Sequence, residues 1–154
     1  MRAPKGVLIY GVGVVGCRAA RLSADLGYPV TAAVNRPGPK VGRRLSELAG
    51  CALAPDPLVR ATLDAALDAS EADVALFSVS DGLAENMPLY RELLTRGVSV
   101  ISCGLQASYP RAVSPALASE LDHLARKHGA VFFGTGFQDV FRLWLPAVLA
   151  AACN

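Results

Sequence analysis

Along the chain, short apolar runs alternate with segments whose apolar residues recur every three to four positions, the pattern of buried strands exchanging with amphipathic helices. The run Val7-Leu8-Ile9-Tyr10 comes first and passes directly into Gly11-Val12-Gly13-Val14-Val15-Gly16. Val15, Ala19, Leu22 and Leu26 then keep helical spacing and predict the inward face of a helix that Gly27 stops before Pro29. Pro29 to Val34 reads as a second strand, Leu45 to Ala49 as a short helix, Leu58 to Ala61 as a third strand, and Leu63, Ala66 and Leu67 as a short helical face. Asp73 to Ser80 has the continuous apolar character of a buried strand. Pro88 is expected to open a helix with Leu89, Leu93 and Leu94 inward and Gly97 closing it, and Val98 to Ile101 is a further strand. Ser114-Pro115 starts a helix with Leu117, Leu121, Leu124 and His128 on one stripe and Gly129 as its stop, and Ala130 to Phe133 is the last strand. From Leu143 to Leu149 the chain is apolar almost all round, as in a helix covered on more than one side.

Strands alternating with helices from Gly6 to Phe133 predict an α/β domain: a doubly wound, mostly parallel sheet with helices on both faces. The first turn sharpens this to a Rossmann fold. Three glycines in G-x-G-x-x-G spacing sit between a strand and a helix, the context in which that spacing binds a dinucleotide. Gly11 allows the tight turn, Gly13 lets a pyrophosphate approach the backbone, and Gly16 lets the helix pack close to its strand. The N–H groups of the helix start, at Val14, Val15 and Gly16, favour negative charge there. The bland alternative is a glycine turn that only tightens a strand–helix connection.

At the end of the second strand, where such folds place an acid on the ribose 2′-hydroxyl, the chain reads Asn35-Arg36, followed by Lys40, Arg43 and Arg44. No carboxylate appears before Glu47, so NADP(H) is favoured over NAD(H), with the cations suited to a 2′-phosphate. Asn35 could still bond a ribose hydroxyl, and a solvated basic loop is the competing reading. Small polar residues at later strand ends, Ser78 and Ser80 and then Cys103 and Gly104, are candidates for the nicotinamide side. Gly134-Thr135-Gly136 with Gln138 and Asp139 could line a pocket, although Asp139 could equally cap the next helix. His123 and His128 read as a solvated residue and a helix-end cation rather than as an acid or base.

Length and charge set the limits. A chain of 154 residues suits one domain, here 1–141 as the dinucleotide-binding unit and 142–154 as an apolar helix leading away from it. The hydrophobic share of 53% against 6% aromatic means a core of Ala, Val and Leu. With 15 basic and 13 acidic residues the net charge of +2 gives no field that would select nucleic acid or a membrane surface. Cys17, Cys51, Cys103 and Cys153 show neither a disulfide framework nor zinc spacing, so no metal is expected and a cytoplasmic setting is the default, with no signal peptide or membrane span.

Four stretches together resemble one family. The opening GVGVVG, the KVGRRLSELAG segment (Lys40 to Gly50), the ISCGLQASYP segment (Ile101 to Pro110) and especially GTGFQDVF (Gly134 to Phe141) resemble native amine dehydrogenases and 2,4-diaminopentanoate dehydrogenases. Their nucleotide domain is similar to that of dihydrodipicolinate reductase. The resemblance covers nearly the whole chain but only the amino-terminal half of a family member, so the substrate and dimerisation domain is expected to be absent. It implies NAD(P)-dependent interconversion of a ketone plus ammonia with an amine, or a related imine reduction. Gly11, Gly13 and Gly16 would hold pyrophosphate, Asn35 and Arg36 would face the adenosine ribose, and Ser78 and Ser80 would approach the nicotinamide. The family's glutamate after Ser-Cys, suited to ammonia, has no counterpart: Gly104, Leu105 and Gln106 follow Cys103, and the next carboxylate is Glu120. Gln106 and Asp139 are therefore the remaining catalytic candidates.

The leading expectation is an oxidoreductase acting on small amines, imines or ketones, represented by its nucleotide-binding half. The alternative is a non-catalytic module that senses a dinucleotide or needs a partner chain, and a third reading makes the glycine loop vestigial. A homo-oligomer, or a partner covering the carboxyl-terminal helix, is expected from the apolar surface that would otherwise face water.

Overall fold

The computed structural model describes residues 4–136 and 145–153. Six parallel strands form one sheet in the order β3-β2-β1-β4-β5-β6, with β1 at Val7–Tyr10, β2 at Val30–Val34, β3 at Val59–Arg60, β4 at Val74–Phe77, β5 at Ser99–Ser102 and β6 at Phe132–Gly134. The direction of winding reverses between β1 and β4, the two central strands. The doubly wound parallel α/β sheet is thus the observed architecture.

Side chains alternate across the pleat and so build two cores. Val7, Ile9, Val30, Ala33 and Val59 pack with Ala20 of α1 (Val14–Asp25) and Leu45 and Ala49 of α2 (Leu45–Ala49). Leu8, Ala32, Val34, Ala75, Phe77 and Val100 pack on the other face with α3 (Leu63–Leu67), α4 (Leu83–Thr95) and α6 (Pro115–Lys127). A short 3₁₀ turn (Leu105–Ser108) and α5 (Pro110–Val113) follow β5, and α7 (Leu145–Ala152) is the last described helix, with its described side chains exposed.

Three expectations are corrected. The buried face of α1 is Gly16, Ala20 and Ser23, while Val15, Leu22 and Leu26 are more than half exposed. The cause is close packing: a Cβ at Gly16 would stand 2.0 Å from the Gly11 carbonyl oxygen, so only small side chains fit between α1 and the sheet. The larger apolar residues are turned outward.

Helix α4 begins at Leu83, a full turn and more before Pro88, which lies inside it. The carbonyl that Pro88 leaves without its helical donor is that of Ala84, and both residues are exposed, so water reaches it. Finally, β6 starts two residues later and ends one residue later than the expected Ala130 to Phe133, at Phe132–Gly134. Ala130 donates to Ala125 at 2.8 Å and so serves the exit from α6, while Val131 already meets β5, donating to the Ser99 hydroxyl at 3.2 Å and accepting from the Val100 N–H at 2.7 Å.

Candidate nucleotide site at the carboxyl edge of the sheet

A cleft of about 610 Å³ opens beyond the carboxyl ends of β1, β2 and β4, at the point where the winding reverses. Open α/β sheets bind ligands at such a point because the diverging loops leave a crevice there. Gly11, Gly13, Asn35, Arg36, Lys40 and Ser78 supply its polar lining, and Tyr10, Ala61, Val79 and Leu89 its apolar lining.

The glycine turn is built into the sheet on both sides. Gly11 has φ +97°, donates to the Val34 carbonyl at 2.9 Å, and accepts from the Ser78 hydroxyl at 3.1 Å. A Cβ there would stand 2.5 Å from the Ser78 carbonyl oxygen, so the position requires glycine in both conformation and space. Around Gly13, by contrast, nothing lies within 4 Å of where a Cβ would be. Helix α1 has no side-chain cap at Gly13, so no capping side chain covers the N–H groups of its first turn. Val14 and Val15 stand exposed on that turn.

Val12 is gripped from the next loop. Its N–H donates to the Asn35 side-chain oxygen at 3.1 Å, and its carbonyl accepts from the Lys40 ammonium. The Asn35 amide nitrogen donates onward to the Arg36 carbonyl at 3.1 Å. Asn35 therefore holds the glycine turn against the end of β2. Arg43 and Arg44 are engaged with Glu47 and Asp56, whereas no ion pair within the described residues holds Arg36 or Lys40.

Tyr10 is the one aromatic side chain among the described lining residues, and a row of rings runs from it into the core. Tyr10 stacks on Phe77, Phe77 meets Tyr90, and Tyr90 meets Phe132, each pair with centroids 4.9 Å apart. Burial, with a smaller contribution from Glu92, pushes the Tyr10 phenol above its ordinary pKa, so it stays neutral beside any phosphate.

A second rim lies over β4 and β5. Ser80 donates to the Asn86 side-chain oxygen at 3.0 Å, and the Asn86 amide nitrogen returns a bond to the Ser80 carbonyl at 2.9 Å. Tyr90 and Ser102 share a buried hydroxyl pair at 2.8 Å, and the Gly104 N–H donates to Ser102 at 3.2 Å. Burial raises the Tyr90 phenol more than its hydrogen bonds to Ser102 and Asn86 lower it. Cys103 is exposed at this rim with Gly104 buried behind it.

Of the sequence candidates, Gly11, Gly13, Asn35, Arg36 and Ser78 line one cleft, with Val14 and Val15 on the helix start beside it and Gly16 behind the turn as a packing residue. Ser80, Cys103 and Gly104 are on the second rim and do not line the cleft. Gln106 accepts the Leu83 N–H at 2.8 Å and so caps α4. Asp139 lies outside the described residues. His123 is exposed on α6 and His128 is that helix's C-cap; neither lines the cleft. Sequence reasoning missed the apolar lining from Ala61, Val79 and Leu89, and the buried Asn86. For Asn86 a signal existed: an amide in the first turn after Asp81-Gly82, in a helix whose other inward residues are apolar.

No family model matches the chain. A 2,4-diaminopentanoate dehydrogenase from Acetoanaerobium sticklandii is 29% identical over 82 residues, 53% of this chain and 23% of the relative. The solved amine dehydrogenase from Mycobacterium smegmatis superposes with a TM-score of 0.84 at 30% identity, covering 95% of this chain and 43% of that one. A hyperthermophilic archaeal homoserine dehydrogenase solved with NADPH matches at 0.56 and 20% identity over 83% of this chain and 43% of its own, a likeness of fold. The chain thus spans less than half the length of these proteins. Taken with the glycine turn at the winding reversal, the chain is a Rossmann-fold protein that resembles the amine dehydrogenases and 2,4-diaminopentanoate dehydrogenases over most of its length.

Proposed function

We propose that the chain is the nucleotide-binding portion of an NAD(P)H-dependent oxidoreductase that interconverts amines with imines or ketones, and that it prefers NADP(H). The observation carrying this reading is the cleft at the winding reversal, with an uncapped helix start, an open Gly13 and two cations without ion-pair partners on one side. A dinucleotide's diphosphate would rest against the first turn of α1, and its adenosine would lie towards Asn35, Arg36 and Lys40 over the apolar lining. Ser78, Ser80, Cys103 and Gly104 would stand towards the nicotinamide. When bound, the nicotinamide supplies or accepts the hydride. The binding unit of this proposal is residues 1–141, with 142–154 leading towards a substrate domain; the relatives are more than twice as long as this chain.

Titration of NADPH fluorescence tests this. Saturable binding is expected, with NADPH held about tenfold or more tighter than NADH, the increment of one charge-assisted hydrogen bond or more. In Arg36→Ala/Lys40→Ala most of that preference should vanish. Equal affinity for the two reduced cofactors in the starting chain would overturn the NADP(H) preference, and absence of saturable binding would overturn the whole reading.

One observation favours a second reading, a dinucleotide-binding module without its own chemistry. Among the described residues no carboxylate or imidazole lines the cleft, and Gln106 is engaged with α4. Turnover with ammonia and small ketones separates the two readings. The proposal also includes self-association or a covering partner, because Val15, Leu22, Leu26, Phe133 and the described face of α7 are exposed. It places the protein in the cytoplasm, a setting suited to four cysteine thiols. No helix among the described residues is long and apolar enough to cross a membrane.

A further inference from the structure

The loops after β4 and β5 are fastened to each other by a reciprocal set of hydrogen bonds. The Leu105 N–H donates to the Asp81 carboxylate at 3.1 Å, and the Gln106 N–H donates to the Asp81 carbonyl at 3.2 Å. In return the Gln106 side-chain oxygen accepts the Leu83 N–H at 2.8 Å, closing the ring. The loops also touch: a Cβ at Gly104 would stand 2.8 Å from the Ser80 carbonyl oxygen. Beneath them the Ser80–Asn86 bonds and the Tyr90–Ser102–Gly104 chain tie both loop bases to α4.

We infer that Gln106, acting with Asp81, is a positioning residue for the nicotinamide half of the cofactor. The inference rests on the dinucleotide reading above. Gln106 touches no ligand; it fixes the tips at Ser80 and Cys103–Gly104, neither of which lines the cleft beside Asn35 and Arg36, as one wall. That wall stands at the carboxyl ends of β4 and β5, on the far side of the glycine turn from Asn35, Arg36 and Lys40. A ligand confined to the adenosine half does not meet it. A ligand extending past the diphosphate does.

The geometry separates this role from a purely structural one. Gln106 is exposed, so its replacement leaves the core intact. Gln106→Ala should weaken NADPH binding about fivefold, the share of one net hydrogen bond, while 2′,5′-ADP, which lacks the nicotinamide half, binds within about twofold of the starting chain. Gln106→Glu keeps the accepting oxygen and should restore NADPH binding, with its charge favoured at the start of α4. Asp81→Ala removes the other half of the ring and should give the same split between the two ligands.

Equal loss of both ligands in Gln106→Ala would mean general loosening of the fold and would overturn the inference. So would unchanged NADPH binding in Gln106→Ala and Asp81→Ala, or a starting chain that holds NADPH no tighter than 2′,5′-ADP. If the starting chain binds 2′,5′-ADP but fails only in this last comparison, the adenosine site stands and the positioning role falls. If it binds neither ligand, the dinucleotide reading falls and takes this inference with it.

Discussion

A methyl group added at Gly16 would meet the Gly11 carbonyl oxygen at 2.0 Å, whereas one added at Gly13 would meet nothing within 4 Å. The two glycines of one motif therefore answer to different surroundings, the first to packing and the second to open space. Gly16→Ala should cost about 1–3 kcal/mol in denaturant unfolding, because α1 must lift from the sheet to admit the methyl. Gly13 has φ −95°, which alanine adopts freely, so Gly13→Ala should leave stability within about 0.5 kcal/mol. It should nevertheless weaken NADPH binding about tenfold or more, since the added methyl would occupy the space the diphosphate needs. Loss of stability in Gly13→Ala equal to that in Gly16→Ala would remove the distinction. At this scale the motif's spacing already separates the packing glycine from the open one, and the structure adds what stands opposite each: the Gly11 carbonyl for Gly16 and open space for Gly13.

At the scale of elements, α1 shows how a face is chosen. Its buried residues are Gly16, Ala20 and Ser23, a small-residue stripe set by the closeness of helix and sheet, and Leu22 is 59% exposed. Ala20→Leu is expected to destabilise by about 1–3 kcal/mol through overpacking, and Leu22→Ala by less than about 0.5 kcal/mol. Urea unfolding of the pair decides it, because the hydrophobic spacing of Val15, Ala19, Leu22 and Leu26 alone would forecast the reverse. Elements held by local signals were legible: β1 with its glycine turn, the apolar centre of β4, and α6 between the Ser114 cap, which accepts the Leu117 N–H at 3.4 Å, and Gly129 at φ +65°. The start of α4 was not. Its cap comes from Gln106, 23 residues further along, and no spacing near Leu83 announces a partner that distant. The candidate site divides in the same way. Gly11, Gly13, Asn35 and Arg36 belong to a local pattern, while Ala61, Val79 and Leu89 reach the cleft only because the strands are ordered as they are.

Across the whole molecule, the two edges of the sheet do different work. The carboxyl edge carries the cleft, and the amino edge is closed by Asp73, whose carboxylate accepts the N–H groups of Lys5 at 3.1 Å and Gly6 at 3.2 Å. Burial pushes the Asp73 carboxyl up, but the backbone donors at Lys5, Gly6 and Asp73 itself, with the charge of Lys5, outweigh it and hold its pKa below the usual value. A depressed folded-state pKa gives stability that is present above the unfolded value of about 3.9 and is lost as pH falls through the folded one. Unfolding midpoints measured from about pH 5 down to pH 2 should therefore fall, and Asp73→Asn should flatten that acid limb. NADPH affinity at neutral pH should be the same in both chains, since Asp73 and the cleft lie at opposite edges of the sheet; a change in binding would show that the edges are coupled.

The grip of Asn35 and Lys40 on Val12 has one more effect. A lysine stem recruited from free solution gives up about 1.5–2 kcal/mol of rotamer freedom, and here that restriction is already met when the chain folds. An anion bound in the cleft would therefore meet an ammonium already held in place, with two further donors on the same nitrogen. A sister protein making identical contacts from an untethered lysine would hold the same ligand more weakly, and the difference would appear in no inventory of the bound complex.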